Sequence, residues 1–227
     1  MSDVPRLVIF DVDGTLVDSQ GLIVEAMTAA FGAVDYPVPE RAAMLGVVGL
    51  SLGVLMPMLA PELSAQTHSN MVDAYKSAYS DLRATSGAAH SSPLYSGARE
   101  ALDALHKMPD VVLGVATGKS RRGLDMLIEG HGLEGFFVTQ QVADFHPSKP
   151  HPSMVLQAMA DTGIDPAQTV MIGDTSFDMD MAAAAGVRNI GVSWGYHTRD
   201  KLLGATKLID DFNALVPTLH NLWGTPA

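Results

Sequence analysis

The chain of 227 residues contains no cysteine, which excludes disulfide bonds, thiolate metal sites and cysteine nucleophiles. Positive charge is also scarce, because 14 lysines and arginines stand against 25 aspartates and glutamates. The resulting formal net charge of -11 repels nucleic acid and anionic membranes, so we expect neither as a partner. A basic segment followed by an apolar run is missing at the N-terminus, which predicts a cytoplasmic location.

Charge is missing altogether from residues 42–60, a run close to the length of a membrane span. A single span here would place Asp11 on one side of a bilayer and the later polar loops on the other. Pro57, Ser51 and three glycines also interrupt the run. We therefore expect buried helices joined by a turn.

Five short apolar runs predict buried strands, at residues 6–10, 111–116, 135–139, 169–172 and 189–192. Helix-like segments follow them, at residues 98–108, 121–129, 152–162 and 177–185. Strands that alternate with helices predict a parallel sheet with right-handed crossovers. The fold class is therefore α/β, with a Rossmann-like parallel sheet as its core.

One region breaks the alternation, since residues 21–83 contain no convincing strand and have the pattern of helices throughout. We predict a small all-helical cap domain at residues 18–85, inserted after the first strand. The α/β core is then discontinuous and consists of residues 1–17 and 86–227.

Two aspartates, Asp11 and Asp13, follow the first predicted strand with one residue between them. In an extended backbone both side chains face the same way, and close carboxylates repel each other unless a cation intervenes. Asp11, held ionised by a divalent metal, is a candidate nucleophile, and Asp13 is a candidate proton donor to a leaving oxygen. An acidic turn with aspartate and glycine in ordinary loop roles is the alternative.

Three later loops carry polar residues that suit a phosphate or a metal. Thr117 and Gly118 follow the second strand, where a hydroxyl and free N–H groups make a phosphate cradle or, more simply, begin a helix. Lys149 lies among prolines that restrict its backbone, so it is either a directed charge or a solvated lysine. Asp174 and Asp178 follow the fourth strand and offer the oxygen ligands that Mg²⁺ prefers.

Taken together, these four segments resemble the haloacid dehalogenase-like hydrolase superfamily. Asp11–Ser19 resembles the first motif, Thr117 the second, Lys149 the third and Gly173–Asp178 the fourth. The helical insert after the first motif resembles the cap of the phosphoglycolate phosphatase-like subgroup, as does the run at residues 192–197.

The resemblance implies a role for each matching residue. Asp11 would be the nucleophile that forms an aspartyl-phosphate, and Asp13 would be the general acid and then the base that activates water. Thr117 and Gly118 would hold the phosphoryl oxygens, and Lys149 would stabilise the charge of the nucleophile and the phosphate.

The resemblance also implies Mg²⁺ as the cofactor. Its ligands would be Asp11, the backbone carbonyl of Asp13, and Asp174, with Asp178 assisting through water or through Lys149. The expected function is Mg²⁺-dependent hydrolysis of a small phosphorylated metabolite, as in phosphoglycolate phosphatases. Nothing in the sequence specifies the physiological substrate or the oligomeric state.

Other reactions occur on the same scaffold. Dehalogenases of the superfamily lack the second aspartate, so the presence of Asp13 argues against that reaction. Hexose-phosphate mutases are an alternative, although they usually carry another residue in place of Thr15. Phosphonatases need a lysine from the cap, and Lys76 is the only lysine in the insert. A catalytically silent phosphate-binding module is the alternative from another class, and the filled catalytic positions argue against it.

Specificity is expected to depend on the cap. Its turn at residues 49–51 is predicted to enter the active site, and six polar residues are candidates for substrate contact: Arg41, Ser51, His68, Tyr75, Lys76 and Tyr79. The cap methionines are expected in its core: Met27, Met44, Met56, Met58 and Met71. Four histidines outside the cap are expected in loop or surface roles: His131, His146, His151 and His197.

Overall fold

The computed structural model describes residues 4–224, with side chains at all of them except 86, 88 and 89. Six parallel strands form one sheet in the order β3-β2-β1-β4-β5-β6. The strands are β1 Arg6–Phe10, β2 Val111–Thr117, β3 Phe137–Val142, β4 Thr169–Gly173, β5 Arg188–Val192 and β6 Lys207–Ile209. The predicted Rossmann-like α/β core is confirmed.

Ten α-helices lie in the described part of the chain. They are α1 Gln20–Gly32, α2 Arg41–Leu45, α3 Leu52–Leu59, α4 Ala65–Ser86, α5 Ala88–Ser91, α6 Ala98–His106, α7 Arg121–His131, α8 Ser153–Thr162, α9 Ser176–Ala184 and α10 Leu215–Trp223. No helix among the described residues is long and apolar enough to cross a membrane.

Strand β1 is buried along its whole length because it lies between β2 and β4 with both faces covered. Successive side chains point to opposite faces of a strand. Val8 and Phe10 accordingly pack into one hydrophobic cluster, with residues of α6, α7 and α10. Leu7 and Ile9 pack into a second cluster, with residues of α8 and α9. The strand order reverses at β1, and ligands of such sheets bind at the carboxyl ends of the strands beside that point.

Helices α1–α4, called the cap helices below, have a hydrophobic cluster of their own. The uncharged stretch at residues 42–60 forms most of α2 and all of α3 with a turn between them, as expected. Four of the five cap methionines are buried in this region, whereas Met58 is 54% exposed. The limits of the cap domain, at residues 18 and 85, stay a prediction.

Two strands differ from the sequence-based expectation. β3 begins at Phe137 rather than at residue 135, because Gly135 has a φ of 81° and belongs to the turn before the strand. β6 was not predicted, since its three residues at the sheet edge are too few to show a pattern.

Candidate active site

The carboxyl ends of β1, β2 and β4 bring three of the predicted loops together. Asp11 directly follows β1 and is 1% exposed, and its backbone N–H donates to the carbonyl of Ile172 on β4. Asp174 follows β4, and Asp178 lies in the first turn of α9. Carboxylate oxygens of Asp11, Asp174 and Asp178 lie within 4.8 Å of one another.

Lys149 reaches this cluster from the loop before α8. Its Nζ lies 2.8 Å from Asp11 Oδ1 and 2.7 Å from Asp178 Oδ1, and its side chain is fully buried. The sequence left open whether Lys149 is a directed charge or a solvated lysine. In the structure it is directed at Asp11 and Asp178. One ammonium faces three buried carboxylates, so the cluster carries an excess of negative charge.

The electrostatics of Asp11 reflect this excess. Burial raises its pKa to about 7, Lys149 opposes the rise, and Asp178 and Asp13 add to it. Burial, followed by the charges of Asp11 and Asp178, likewise raises the pKa of Asp174. Neither oxygen of Asp11 accepts a directed hydrogen bond within the described residues, although Oδ1 pairs with Lys149 by charge. Buried acceptors without donors suit a hard cation, so this donor set fits Mg²⁺.

Asp174 is held in place by its neighbours. Its Oδ1 accepts a hydrogen bond from Thr15 Oγ1 at 3.0 Å, and its Oδ2 accepts one from the backbone N–H of Tyr196 at 2.8 Å. Gly14 packs so closely that a Cβ there would lie 2.2 Å from the Asp174 carboxylate. The loops after β1 and β5 thus fix this carboxylate against Asp11.

Asp178 orients Lys149 and also begins α9. Its Oδ2 accepts from the backbone N–H and the hydroxyl of Thr175, while the Thr175 hydroxyl accepts from the Asp178 backbone N–H. This reciprocal capping box fixes the first turn of the helix. Oδ1 of Asp178 is then directed at Lys149.

Asp13 has a partner that the sequence analysis missed. Lys119 Nζ lies 2.7 Å from both carboxylate oxygens of Asp13, and Ser19 Oγ donates to Oδ1 at 2.5 Å. The hydroxyl of Tyr79, on cap helix α4, lies 2.9 Å from the same ammonium. Desolvation lowers the pKa of Lys119, but the charge of Asp13 and the contact with Tyr79 outweigh it and leave the pKa raised.

A signal for this contact was present in the sequence. Strands β1 and β2 are parallel neighbours, so the loops that carry Asp13 and Lys119 leave the sheet side by side. Sequence reasoning used the segment around Thr117 only for its hydroxyl and backbone N–H groups. The lysine two positions later was passed over.

Thr117 and Gly118 lie at the end of β2, where α7 begins. Thr117 is 1% exposed, and its Oγ1 accepts a hydrogen bond from the backbone N–H of Lys119 at 3.3 Å. The helix is capped separately by Ser120, whose side chain accepts from Gly123 N–H. The helix-cap alternative for Thr117 is therefore not needed. Of the three predicted phosphate-binding residues, Thr117 and Gly118 line a cavity beside Asp11, whereas Lys149 lies behind it in contact with Asp11 and Asp178.

The cap helices are seated on the core in this structure. The loop between α2 and α3 approaches Gly118 so closely that a Cβ there would lie 2.6 Å from the carbonyl oxygen of Gly49. Next to it, the backbone N–H of Ser51 donates to Ser148 Oγ at 2.9 Å. These contacts agree with the prediction that the turn at residues 49–51 enters the active site.

His197 lies in the loop after β5, as expected, but it is buried there and joins the core to the cap. It is 4% exposed, and its Nδ1 accepts from the backbone N–H of Ser176 at 3.0 Å. Nε2 therefore carries the proton and donates to the carbonyl of Gly46 at 3.1 Å. Burial lowers the pKa of His197, which favours this neutral form.

A cavity of about 530 Å³ lies between the cap helices and the carboxyl edge of the sheet. Asp11 and Asp13 line it, and so do Tyr75, Lys76 and Tyr79 of the six cap candidates. The other three candidates are used elsewhere: Arg41 donates to Gln20, His68 contacts the carbonyl of Ala60, and Ser51 bonds through its backbone.

Comparisons with known proteins agree with this geometry. The chain combines a Rossmann-like α/β core with a helical insert, and the family model described as haloacid dehalogenase-like hydrolase matches residues 8–192. The chain belongs to the haloacid dehalogenase-like hydrolase family.

Among its relatives is a probable phosphatase, IndB, of Dickeya dadantii, which is 37% identical over 223 residues and matches 95% of this chain and 94% of its own length. The phosphoglycolate phosphatase of Pseudomonas putida is 30% identical, with 94% of this chain and 79% of that protein covered. These relatives and the family identify the chain as a phosphatase.

Solved structures show the same fold. A haloacid dehalogenase-like family hydrolase from Streptococcus pneumoniae superimposes with a TM-score of 0.81 at 25% identity, covering 96% of this chain and 99% of that chain. A β-phosphoglucomutase from Clostridium difficile superimposes with a TM-score of 0.83 at 17% identity, covering 97% and 98%. The second likeness concerns the fold alone.

Proposed function

We propose that this phosphatase hydrolyses a metabolite-sized phosphomonoester with Mg²⁺, by way of an aspartyl-phosphate on Asp11. The observation that supports it most is the carboxylate of Asp11. It is buried and lines the cavity, its Oδ1 pairs with Lys149 at 2.8 Å, and its Oδ2 has no hydrogen-bond partner among the described residues. A nucleophile needs this free lone pair and a cation that keeps it ionised.

In the proposed first step, an oxygen of Asp11 attacks phosphorus and the bond from phosphorus to the leaving oxygen breaks. Asp13 gives its proton to that oxygen, so an alcohol leaves. Thr117 and Gly118 hold the phosphoryl oxygens, and Lys149 offsets their charge. Positioning and charge neutralisation provide most of the catalysis in phosphoryl transfer.

In the second step, Asp13 takes a proton from water as that water attacks phosphorus. The bond between Asp11 and phosphorus breaks, inorganic phosphate leaves and the Asp11 carboxylate is restored. Lys119 positions Asp13 for both steps through its two contacts of 2.7 Å.

The residues proposed to hold Mg²⁺ are Asp11, the backbone carbonyl of Asp13, Asp174 and Asp178, the last through Lys149 or water. Bound there, the cation would lower the negative charge of the cluster and of the phosphoryl group. The donor set supports this, because the three carboxylates lie within 4.8 Å of one another and, in the described part of the chain, one lysine pairs with two of them.

The test is Mg²⁺-dependent release of phosphate from p-nitrophenyl phosphate. We expect Asp11→Asn to abolish it and Asp180→Asn, an exposed aspartate on α9, to leave it unchanged. Acid-quenched wild-type protein incubated with labelled acetyl phosphate should carry label that hydroxylamine releases, as acyl phosphates do, and Asp11→Asn should carry none. Failure to release phosphate from a broad panel of phosphomonoesters would favour the silent binding module.

The two enzymatic alternatives are open to direct tests. Lys76 lines the cavity on its exposed rim, so a phosphonatase would form a Schiff base there, trapped by borohydride and lost in Lys76→Ala. A hexose-phosphate mutase would convert a hexose 1-phosphate to the 6-phosphate without net release of phosphate. The cytoplasmic location stays a prediction from the sequence.

A further inference from the structure

The cavity beside Asp11 is large even though the cap touches the core. Contacts of Gly49, Ser51 and Tyr79 with the core already close the cap over the sheet edge. The remaining volume of about 530 Å³ is therefore not the gap left by an open cap. Sites of roughly 300–1,000 Å³ hold drug-sized ligands, so this volume suits a ligand of that size. A phosphoryl group on a two-carbon acid would fill only a small part of it.

The wall of the cavity is mostly apolar on the cap side. Aliphatic side chains from α1, α3 and the turn between α2 and α3 contribute to it: Ile23, Met27, Val48, Leu50, Leu52 and Leu55. Two aromatic rings on α4, those of Tyr75 and Tyr79, stack with centroids 5.8 Å apart and planes 28° apart. Met126 closes the opposite side. Such a wall gains free energy by removing apolar ligand surface from water.

One buried cation in this wall has no charged partner. Arg83 is 3% exposed and makes no ion pair within the described residues, and its Nη2 has no hydrogen-bond partner. Its Nη1 makes one long contact, with the carbonyl oxygen of Gly123 at 3.5 Å. A buried guanidinium in this state lacks the partners that such groups normally have.

The position of Arg83 separates it from the reacting group. It lies one turn beyond Tyr79 on α4, about 6 Å farther along the helix axis. Tyr79 contacts Lys119, which in turn holds Asp13. Arg83 therefore faces a part of the ligand other than the phosphoryl group.

We infer that the substrate is a phosphomonoester whose leaving group has a bulky, apolar, ring-containing body and an oxygen acceptor, carbonyl or carboxylate, that binds Arg83. This inference rests on the proposed function, because it concerns the alcohol that leaves when Asp11 takes the phosphate. The apolar wall favours the ring-containing part of the leaving group by burying it, and one charged hydrogen bond to Arg83 fixes the orientation of that group.

The test compares three phosphate esters of primary alcohols: 4-carboxybenzyl phosphate, benzyl phosphate and 2-phosphoglycolate. We expect kcat/KM to fall in that order, by about tenfold or more between the first and the last. Arg83→Met should lower kcat/KM for the carboxybenzyl ester to the level of the benzyl ester, and Arg83→Lys should retain part of the difference. A kcat/KM for 2-phosphoglycolate equal to or above that of the benzyl ester overturns the inference.

A matched pair of leucines on α3 tests the wall. Leu52 lines the cavity and Leu59 does not, and both are half-buried. Leu52→Ala should lower kcat/KM for benzyl phosphate by about fivefold or more and keep kcat/KM for 2-phosphoglycolate within about twofold of wild type. Leu59→Ala should change kcat/KM for neither substrate. An equal loss for both substrates in Leu52→Ala contradicts the proposed wall.

Failure of the proposed function gives a different result. If p-nitrophenyl phosphate is hydrolysed and none of the three esters is, the inference is overturned. If p-nitrophenyl phosphate is not hydrolysed either, the phosphatase mechanism is overturned, and calorimetry with non-hydrolysable phosphonates then decides the ligand class. Tighter binding of 4-carboxybenzylphosphonate than of phosphonoacetate, lost in Arg83→Met, supports the inference. Equal or weaker binding overturns it.

Discussion

The close approach of the cap loop to Gly118 makes Gly118→Ala an informative substitution. Gly118 does not have a positive φ, so alanine is compatible with its backbone. The added Cβ would lie 2.6 Å from the carbonyl oxygen of Gly49 and 3.1 Å from that of Leu50. Ordinary contact begins at 3.4 Å, so one of the two backbones must move by about 0.8 Å, the difference between 3.4 and 2.6 Å.

In Gly118→Ala we expect the cap loop, rather than the core, to move. Gly118 lies directly after β2, whose neighbours β1 and β3 hold it on both sides, whereas few hydrogen bonds fasten the cap loop. A misplacement of about 1 Å costs on the order of 10²-fold in rate. We therefore expect kcat/KM for p-nitrophenyl phosphate to fall by about that factor.

The stability of the variant should change little. The cap–core contacts at risk are a few hydrogen bonds, each worth about 0.5–1.5 kcal/mol net. The melting temperature should fall by no more than about 2–4 °C per kcal/mol lost, the value for chains of this length. Far-UV circular dichroism should be unchanged.

Two controls separate cap displacement from damage to the phosphate cradle. Gly53→Ala makes the same substitution in α3, where a Cβ meets nothing within 4 Å, so activity should be retained. The inhibition constant of inorganic phosphate, which needs the cradle and no leaving group, should stay within about threefold of wild type in Gly118→Ala. Retention of kcat/KM within threefold would refute the reasoning, because the close contact would then be absent from the working enzyme.

Three further predictions concern other parts of the site. Lys119→Met removes the cation that holds Asp13. Because positioned acid–base groups contribute about 10²–10⁴-fold, kcat should fall by about tenfold or more in steady-state assays. Tyr79→Phe should lower kcat less. Mg²⁺ should raise the melting temperature of wild type, and Asp174→Asn should remove this shift, because ligands that bind only the folded chain stabilise it. Burial holds His197 neutral, so its contribution to the free energy of unfolding is present above its ordinary pKa of 6.5 and is lost as the pH falls below that value. Denaturant titrations of His197→Gln should therefore show a smaller loss of unfolding free energy over this pH range than titrations of wild type.

Each of these predictions has an outcome that would contradict it. Unchanged kcat in Lys119→Met would mean that Asp13 needs no partner for its orientation. An equal Mg²⁺ shift in Asp174→Asn would place the cation elsewhere. Parallel pH profiles for wild type and His197→Gln would mean that the bond between the core and Gly46 does not depend on the neutral imidazole.

The sequence alone determined the sheet and the loops that surround Asp11. Buried parallel strands are continuous apolar runs, which are local patterns, and their chain order with helices between them specifies parallel pairing. Because the carboxyl ends of such strands share one edge, residues that follow them, including Thr117, Lys149 and Asp174, were predicted to converge. The structure places Thr117 in the cavity beside Asp11, Lys149 in contact with Asp11, and Asp174 within 4.8 Å of it.

Only the tertiary structure decided which side chains touch across that edge. The pair of Lys119 with Asp13 joins residues 106 positions apart, and the bond from His197 to Gly46 joins residues 151 positions apart. No local period encodes such a contact, because it depends on how the cap helices pack against the sheet. The same packing leaves Arg83 buried without an ion pair to any described residue and creates the apolar cavity beside Asp11. The sequence therefore predicted the candidate nucleophile Asp11, whereas the cavity proposed to hold the leaving group exists only in the folded chain.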